Sequence, residues 1–257
     1  MAVSLPPILT ALPELAAFAR PVVELRVDEA GPPPSALATK IGGPFPWPSN
    51  APWPSTDLPQ LLFGFDPSTP RNRTLVPVLQ VLREDVPELP FPESTDVLQL
   101  LWSPCWHEGP DGVEQVFALR WWNAAQLVEG RNPPPENPER DWIPPPRRLT
   151  RHLRWGLPDR RLVPPRLVEQ AEAWLRLQGD EEDDYDAIEA VDGIRVGMPG
   201  WVPQLWSLAP GDAVGCHLFT VSDDAWPGLA LSRGGGQLHV FENDGRGAFI
   251  RDDSATK

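Results

Sequence analysis

Cysteine, tyrosine and lysine are scarce in this chain of 257 residues, and each shortage closes a class of explanation. Two cysteines, Cys105 and Cys216, are too few for a disulfide framework and point to a reducing compartment. One tyrosine beside 12 tryptophans and nine phenylalanines leaves bulky aromatic surface with almost no phenolic hydroxyl for proton transfer. Lysine occurs only at Lys40 and Lys257, so nearly every basic side chain is an arginine. No apolar run approaches the roughly 18 residues of a membrane-spanning helix, and Met1–Pro7 lacks a basic segment followed by an apolar stretch. A soluble cytoplasmic protein without a membrane partner is expected.

Reaction motifs are missing as well. There is no Gly-x-Ser-x-Gly elbow and no His-Glu-x-x-His helix, and Gly234-Gly235-Gly236 lacks the Gly-Lys-Ser/Thr ending of a phosphate loop. Hydrolase chemistry could in principle use His107, His152, His217 or His239 with a nearby serine, cysteine or carboxylate, but no such motif marks a pair. No catalytic residue and no cofactor is assigned, and a non-catalytic role is favoured. A net charge of −14 argues against a general nucleic-acid surface, which needs a basic face to displace counterions from phosphates.

What the chain has in abundance is proline, 35 residues, with runs at Pro32–Pro34, Pro133–Pro135 and Pro144–Pro146 that leave little room for long helices. Short apolar segments bounded by turn formers predict strands at 22–27, 61–65, 76–82, 97–102, 116–122, 216–221 and 237–241. Helices are expected over 12–19 and 166–178; the second places Leu167, Ala171, Trp174 and Leu175 on one side. The fold class is therefore α+β, mainly antiparallel β, with few short helices and long Pro-rich loops. One domain spanning 1–257 is expected, with a Pro/Arg-rich excursion or linker at 130–165 and an acidic loop at 180–186.

Two corners resemble one another: Lys40-Ile41-Gly42-Gly43-Pro44-Phe45-Pro46-Trp47 and Arg195-Val196-Gly197-Met198-Pro199-Gly200-Trp201. Each runs cation, aliphatic, glycine, proline, tryptophan, which suggests two pseudo-repeated β-rich halves at about 22–129 and 190–250. Lys40, Gly42, Gly43 and Pro46, followed by Trp53-Pro54 and then Gln80, resemble the pattern of the YwqG-like family of bacterial proteins. The second half of that pattern falls on Gly197, Pro199, Gln204, Gly215 and Gly236, with Met198 where a second glycine is usual. The same turn is similar to the N-terminal portion of the programmed cell death protein family of chaperones, without their cysteine-rich module. The resemblance implies a mainly antiparallel fold with duplicated halves, and carries over no catalytic residue.

The candidate ligand or partner residues are Lys40, Gly42, Gly43, Trp47, Trp53, Trp201 and Gln204. A lysine beside exposed backbone N–H groups holds an anion, and an indole stacks on a ligand; the structural alternative is a packed corner. Cys105, His107, Cys216 and His217 supply four N/S ligands of the kind zinc takes, but their spacing fits no ribbon or finger, so no metal is assigned. Between Arg140 and Arg166 eight arginines face only Asp141 and Asp159, whereas Asp180, Glu181, Glu182, Asp183, Asp184 and Asp186 form a carboxylate run. The leading expectation is an acidic binding module, immunity-like or chaperone-like, docking a basic protein. The alternative is a small-molecule site or enzyme in the groove between the halves.

Overall fold

The computed structural model describes residues 5–58, 74–109, 112–128, 145–157, 160, 163–178, 194–196, 216–222, 237–243 and 246–252. Its frame is a ten-stranded, mainly antiparallel sheet. In chain order the strands are β1 (Arg20–Val27), β2 (Lys40–Ile41), β3 (Trp47–Pro48), β4 (Val76–Leu82), β5 (Val97–Gly109), β6 (Gly112–Trp122), β7 (Leu127–Val128), β8 (Arg147–Gly156), β9 (Ile194–Val196), β10 (Cys216–Ser222), β11 (Gln237–Asn243) and β12 (Arg246–Asp252). The large sheet runs β12-β11-β10-β9-β1-β8-β2-β4-β5-β6, and β3 with β7 makes a separate two-stranded ribbon. The sheet curls into a half-barrel, and its outermost strands β12 and β6 approach one another.

Alternation along the strands decides which face is dry. Val23, Leu25, Ile41, Leu79, Val81, Leu98, Leu100, Leu119, Leu149, Ile194, Val196, Phe219, Val221, Leu238 and Val240 all join one buried cluster on the face around which the sheet curls. Residues of opposite parity carry the polar chemistry. Cross-strand partners Arg120, Gln99, Gln80, Lys40 and Arg148 form one row on the other face, and His152, Glu24, Arg195 and Thr220 form a second, joined to the first along β8.

Three helices close one end of the sheet. Pro13 falls inside the segment expected as one helix over 12–19, and the chain instead makes two single-turn helices, α1 (Pro7–Ala11) and α2 (Pro13–Ala16), each with proline in its first turn. The helix expected at 166–178 is α3 (Pro165–Gln178), and it buries Leu167, Val168, Ala171 and Leu175 against Ile8, Leu9, Leu15 and Leu157.

The 130–165 stretch departs from the expected excursion over 147–156, where β8 lies inside the sheet between β1 and β2. Leu149 and Leu153 point to the core, while Arg147, Arg148 and Arg151 keep contact with solvent. The strand predicted at 61–65 and the acidic loop 180–186 lie outside the described residues.

Candidate functional site

The Lys40 corner is tied down by its own chain. Lys40 is 2% exposed, and its Nζ donates to the carbonyls of Pro44 at 2.8 Å and Ser35 at 3.3 Å, 5.7 Å from the Phe45 ring centroid. Gly42 has φ of 75°, a left-handed conformation that glycine adopts without strain, and its N–H reaches Val78 O at 2.7 Å. Gly43 precedes a cis proline and packs so closely that a Cβ there would meet Pro77 Cγ at 2.3 Å. The backbone and the lysine thus serve the corner.

Beside it sits a tryptophan cluster. Trp47 is 1% exposed and packs on Trp53 at 4.6 Å and edge-on to Trp122 at 5.1 Å between ring centroids. Trp47 Nε1 donates to Ala51 O, Trp53 Nε1 to Leu75 O and Trp122 Nε1 to Gln99 Oε1. Gln99 Nε2 donates to Pro46 O and Gln80 Oε1, and Gln80 Nε2 donates to the carbonyls of Ala36 and Ala38. Both glutamines are fully buried, so this chain of amides staples the 36–53 segment onto the sheet. Trp201 and Gln204, the expected counterparts in the second half, lie outside the described residues, as do Asp180, Glu181, Glu182, Asp183 and Asp184.

His107 is equally committed. Its Nδ1 lies 3.2 Å from Leu58 O and its Nε2 lies 2.7 Å from Ser103 Oγ, with both side chains buried. A carbonyl only accepts, so Nδ1 carries the proton and Nε2 accepts from the serine hydroxyl. Burial pushes the imidazole below its ordinary value despite the Leu58 hydrogen bond, which acts the other way, and so keeps it neutral. The side chains of Cys105, Cys216 and His217 lie outside the described residues, and the described residues contain no group of three or more metal-ligating side chains.

The open chemistry lies at the centre of the sheet, where β1 meets β8. Glu24 is paired across strands with His152 on one side and Arg195 on the other. Its Oε2 accepts from Arg26 at 2.8 Å and lies 3.4 Å from an Arg154 nitrogen. The Glu24 side chain is 9% exposed, whereas those of Arg26 and Arg154 are 54% and 32% exposed. Burial acts to raise the Glu24 carboxyl pKa, but the Arg26 hydrogen bond and the charges of Arg154, Arg26 and His152 prevail and hold it below the ordinary carboxylate value. Arg26 is raised in turn by the same hydrogen bond and charge.

Glu24 therefore acts as an anchor that fixes two guanidiniums by a single oxygen. Each guanidinium has five N–H donors, and among the described residues Arg26 and Arg154 have no side-chain acceptor besides Glu24. Thr150 donates to Arg26 O at 3.3 Å, so its oxygen accepts from His152 Nε2 at 3.0 Å, which sets the ring orientation. Arg148 continues the row, opposite Asp28, whose N–H donates to Arg148 O. On the core side of β8, Arg151 forms a two-pronged pair with Glu88, which raises the arginine and lowers the carboxylate against the effect of its burial.

The face is legible as a period-two polar pattern, Arg148-x-Thr150-x-His152-x-Arg154, but Glu24 and Arg26 join it only through pairing with a strand far away in sequence. The arrangement can hold an anion. No family model matches the chain, and no curated protein matches it.

Proposed function

We propose that this chain is a non-catalytic binding module whose working surface is the outer face of the β1–β8 seam, and that the surface recognises anionic groups. The observation that carries the reading is the row of exposed Arg26, Arg148 and His152 and half-buried Arg154 around the buried Glu24, in a chain whose net charge is −14. A cationic row kept on a strongly acidic protein is a local attractive field within a repulsive one, which favours selective over indiscriminate binding.

The proposal includes a duplicated, YwqG-like architecture. In support, β2-β4-β5-β6 on one side of the central β8-β1 pair is mirrored in order by β9-β10-β11-β12 on the other. Lys40 faces Gln80 in one half as Arg195 faces Thr220 in the other, and Ile41 and Val196 follow into the core. The seam is then the groove between halves, and Glu24 with Arg148 occupy corresponding places beside the two cations.

Retention on a heparin matrix tests the reading. A protein of this net charge binds a polyanion only through a local cationic surface, so retention at low salt is expected, with loss in an Arg148→Gln/Arg154→Gln variant of unchanged circular dichroism. Flow-through of the wild type would refute it. A second reading, docking of a basic protein in the manner of an immunity or chaperone protein, is favoured by the net charge and the carboxylates of Asp180–Asp186. Its signature is salt-sensitive association that slows when those carboxylates are reversed.

A further inference from the structure

Resting on the seam as the binding surface, we propose that its ligand is an extended acidic segment of a partner protein, laid along β8 with a carboxylate at every second residue. Arg148, Thr150, His152 and Arg154 alternate on a single strand, so the row extends about 20 Å with neighbouring positions about 6.6 Å apart. A lone phosphate or carboxylate spans one of these positions and leaves the others in water. An extended peptide has the same two-residue repeat, and its alternate side chains meet the row in register.

Charge also decides between polymers. Around Glu24 the described charged groups of the seam are the guanidiniums of Arg26, Arg148 and Arg154 against the carboxylates of Glu24 and Asp28. That modest excess suits a segment with a few carboxylates. A nucleic-acid strand has a comparable phosphate spacing but carries a charge on every unit and gains affinity from aromatic stacking. The described tryptophans Trp47, Trp53 and Trp122 are engaged with one another at the corner, and Trp102, Trp121 and Trp155 pack against the two hydrophobic cores. The seam row itself offers guanidinium groups, which bind carboxylates through paired N–H donors.

The test uses fluorescence anisotropy with the full chain and three labelled probes of equal net charge. One peptide alternates glutamate with serine, a second has the same composition with its glutamates in one block, and the third is a single-stranded oligonucleotide. The expected result is tightest binding of the alternating peptide, weakened about tenfold by Arg148→Gln/Arg154→Gln, a change of about 1.4 kcal/mol. Thr150→Val provides a variant that removes no charge and tests register by misaligning His152; a loss of at least about twofold is expected. Equal affinity for the two peptides would overturn the spacing argument, and preference for the oligonucleotide would replace the peptide with nucleic acid. Heparin retention without peptide binding would overturn this inference alone; loss of both would remove the seam reading. If the peptide binds only after Asp180–Asp186 are neutralised, the occupant is this chain itself and not a partner.

Discussion

Replacing Gln99 by leucine cuts the amide chain at its centre. Gln99 is fully buried and has three partners: it donates to Pro46 O and Gln80 Oε1 and accepts from Trp122 Nε1. Leucine keeps nearly the same volume, so cavity formation is a small part of the effect. Three polar groups lose their partner at once, and each buried unsatisfied group costs about 1–3 kcal/mol. The carbonyl of Pro46 is the cheapest of the three, and the leucine side chain recovers about 1–2 kcal/mol through its own burial. The net expectation is a destabilisation of about 3–5 kcal/mol, a large fraction of a domain's total of about 5–15 kcal/mol. Urea unfolding followed by far-UV circular dichroism reads it as a lower midpoint with an unchanged slope. In the Gln80→Leu/Gln99→Leu pair the glutamine–glutamine contact disappears from both sides, so the double variant loses less than the two single losses combined. A Gln99→Leu protein within about 1 kcal/mol of wild type would refute the view that these amides staple the 36–53 segment to the sheet.

Two further expectations concern pH. Glu24 has a folded-state pKa below its unfolded value, so the stability it contributes is fully present above the unfolded carboxylate value of about 4.3 and is lost as pH falls through the folded one. Glu24→Gln should therefore lie about 1–2 kcal/mol below wild type at neutral pH, a modest gap because Arg26 and Arg154 keep contact with water, and should converge on it in acid. A pH-independent gap would count against the ion pairing. His107 is also held below its unfolded value, but as a base: the unfolded chain takes up the proton first, so stability falls as pH drops below about 6.5 and stops falling once the folded imidazole is protonated. His107→Gln should flatten that limb of the stability profile, and parallel profiles for the two proteins would show that His107 is not the group responsible.

Most of the sheet was legible because its core strands obey a simple rule. Val76–Leu82 follows the expected limits, and the segments 22–27, 97–102, 116–122, 216–221 and 237–241 all fall inside strands that run somewhat longer. Strand β8 is poorly marked by hydrophobicity: its core-facing positions include Arg147 and Arg151, which interrupt Leu149, Leu153 and Trp155 on the buried side. Arg151 is tolerated there through Glu88, a partner that sequence distance conceals. Strand β12 was missed for a similar reason, since Arg246 and Gly247 begin it and arginine and aspartate end it. The Lys40 corner was found from its residue types, but its burial was not, because the acceptors of Nζ are backbone carbonyls and leave no trace in composition. Glu24, Arg26 and His152 carried no local signal of a shared site; only the register of β1 on β8 brings them together.

The order of the strands has a consequence for how the protein comes into being. Strand β1 leaves the ribosome ahead of the other strands of the sheet, yet its two neighbours are β8 and β9, and it can pair with neither until synthesis has passed Arg147. The β4-β5-β6 meander can form early from local contacts, whereas Val23 and Leu25 wait with an unpaired backbone and an uncovered apolar face. The middle of the sheet is thus completed only after the β4-β5-β6 meander, and a nascent chain halted before Arg147 exposes a strand primed to pair with the wrong partner. The seam joins the two sides in time as well as in space: closure of β8 and β9 onto β1 commits the chain to its final form.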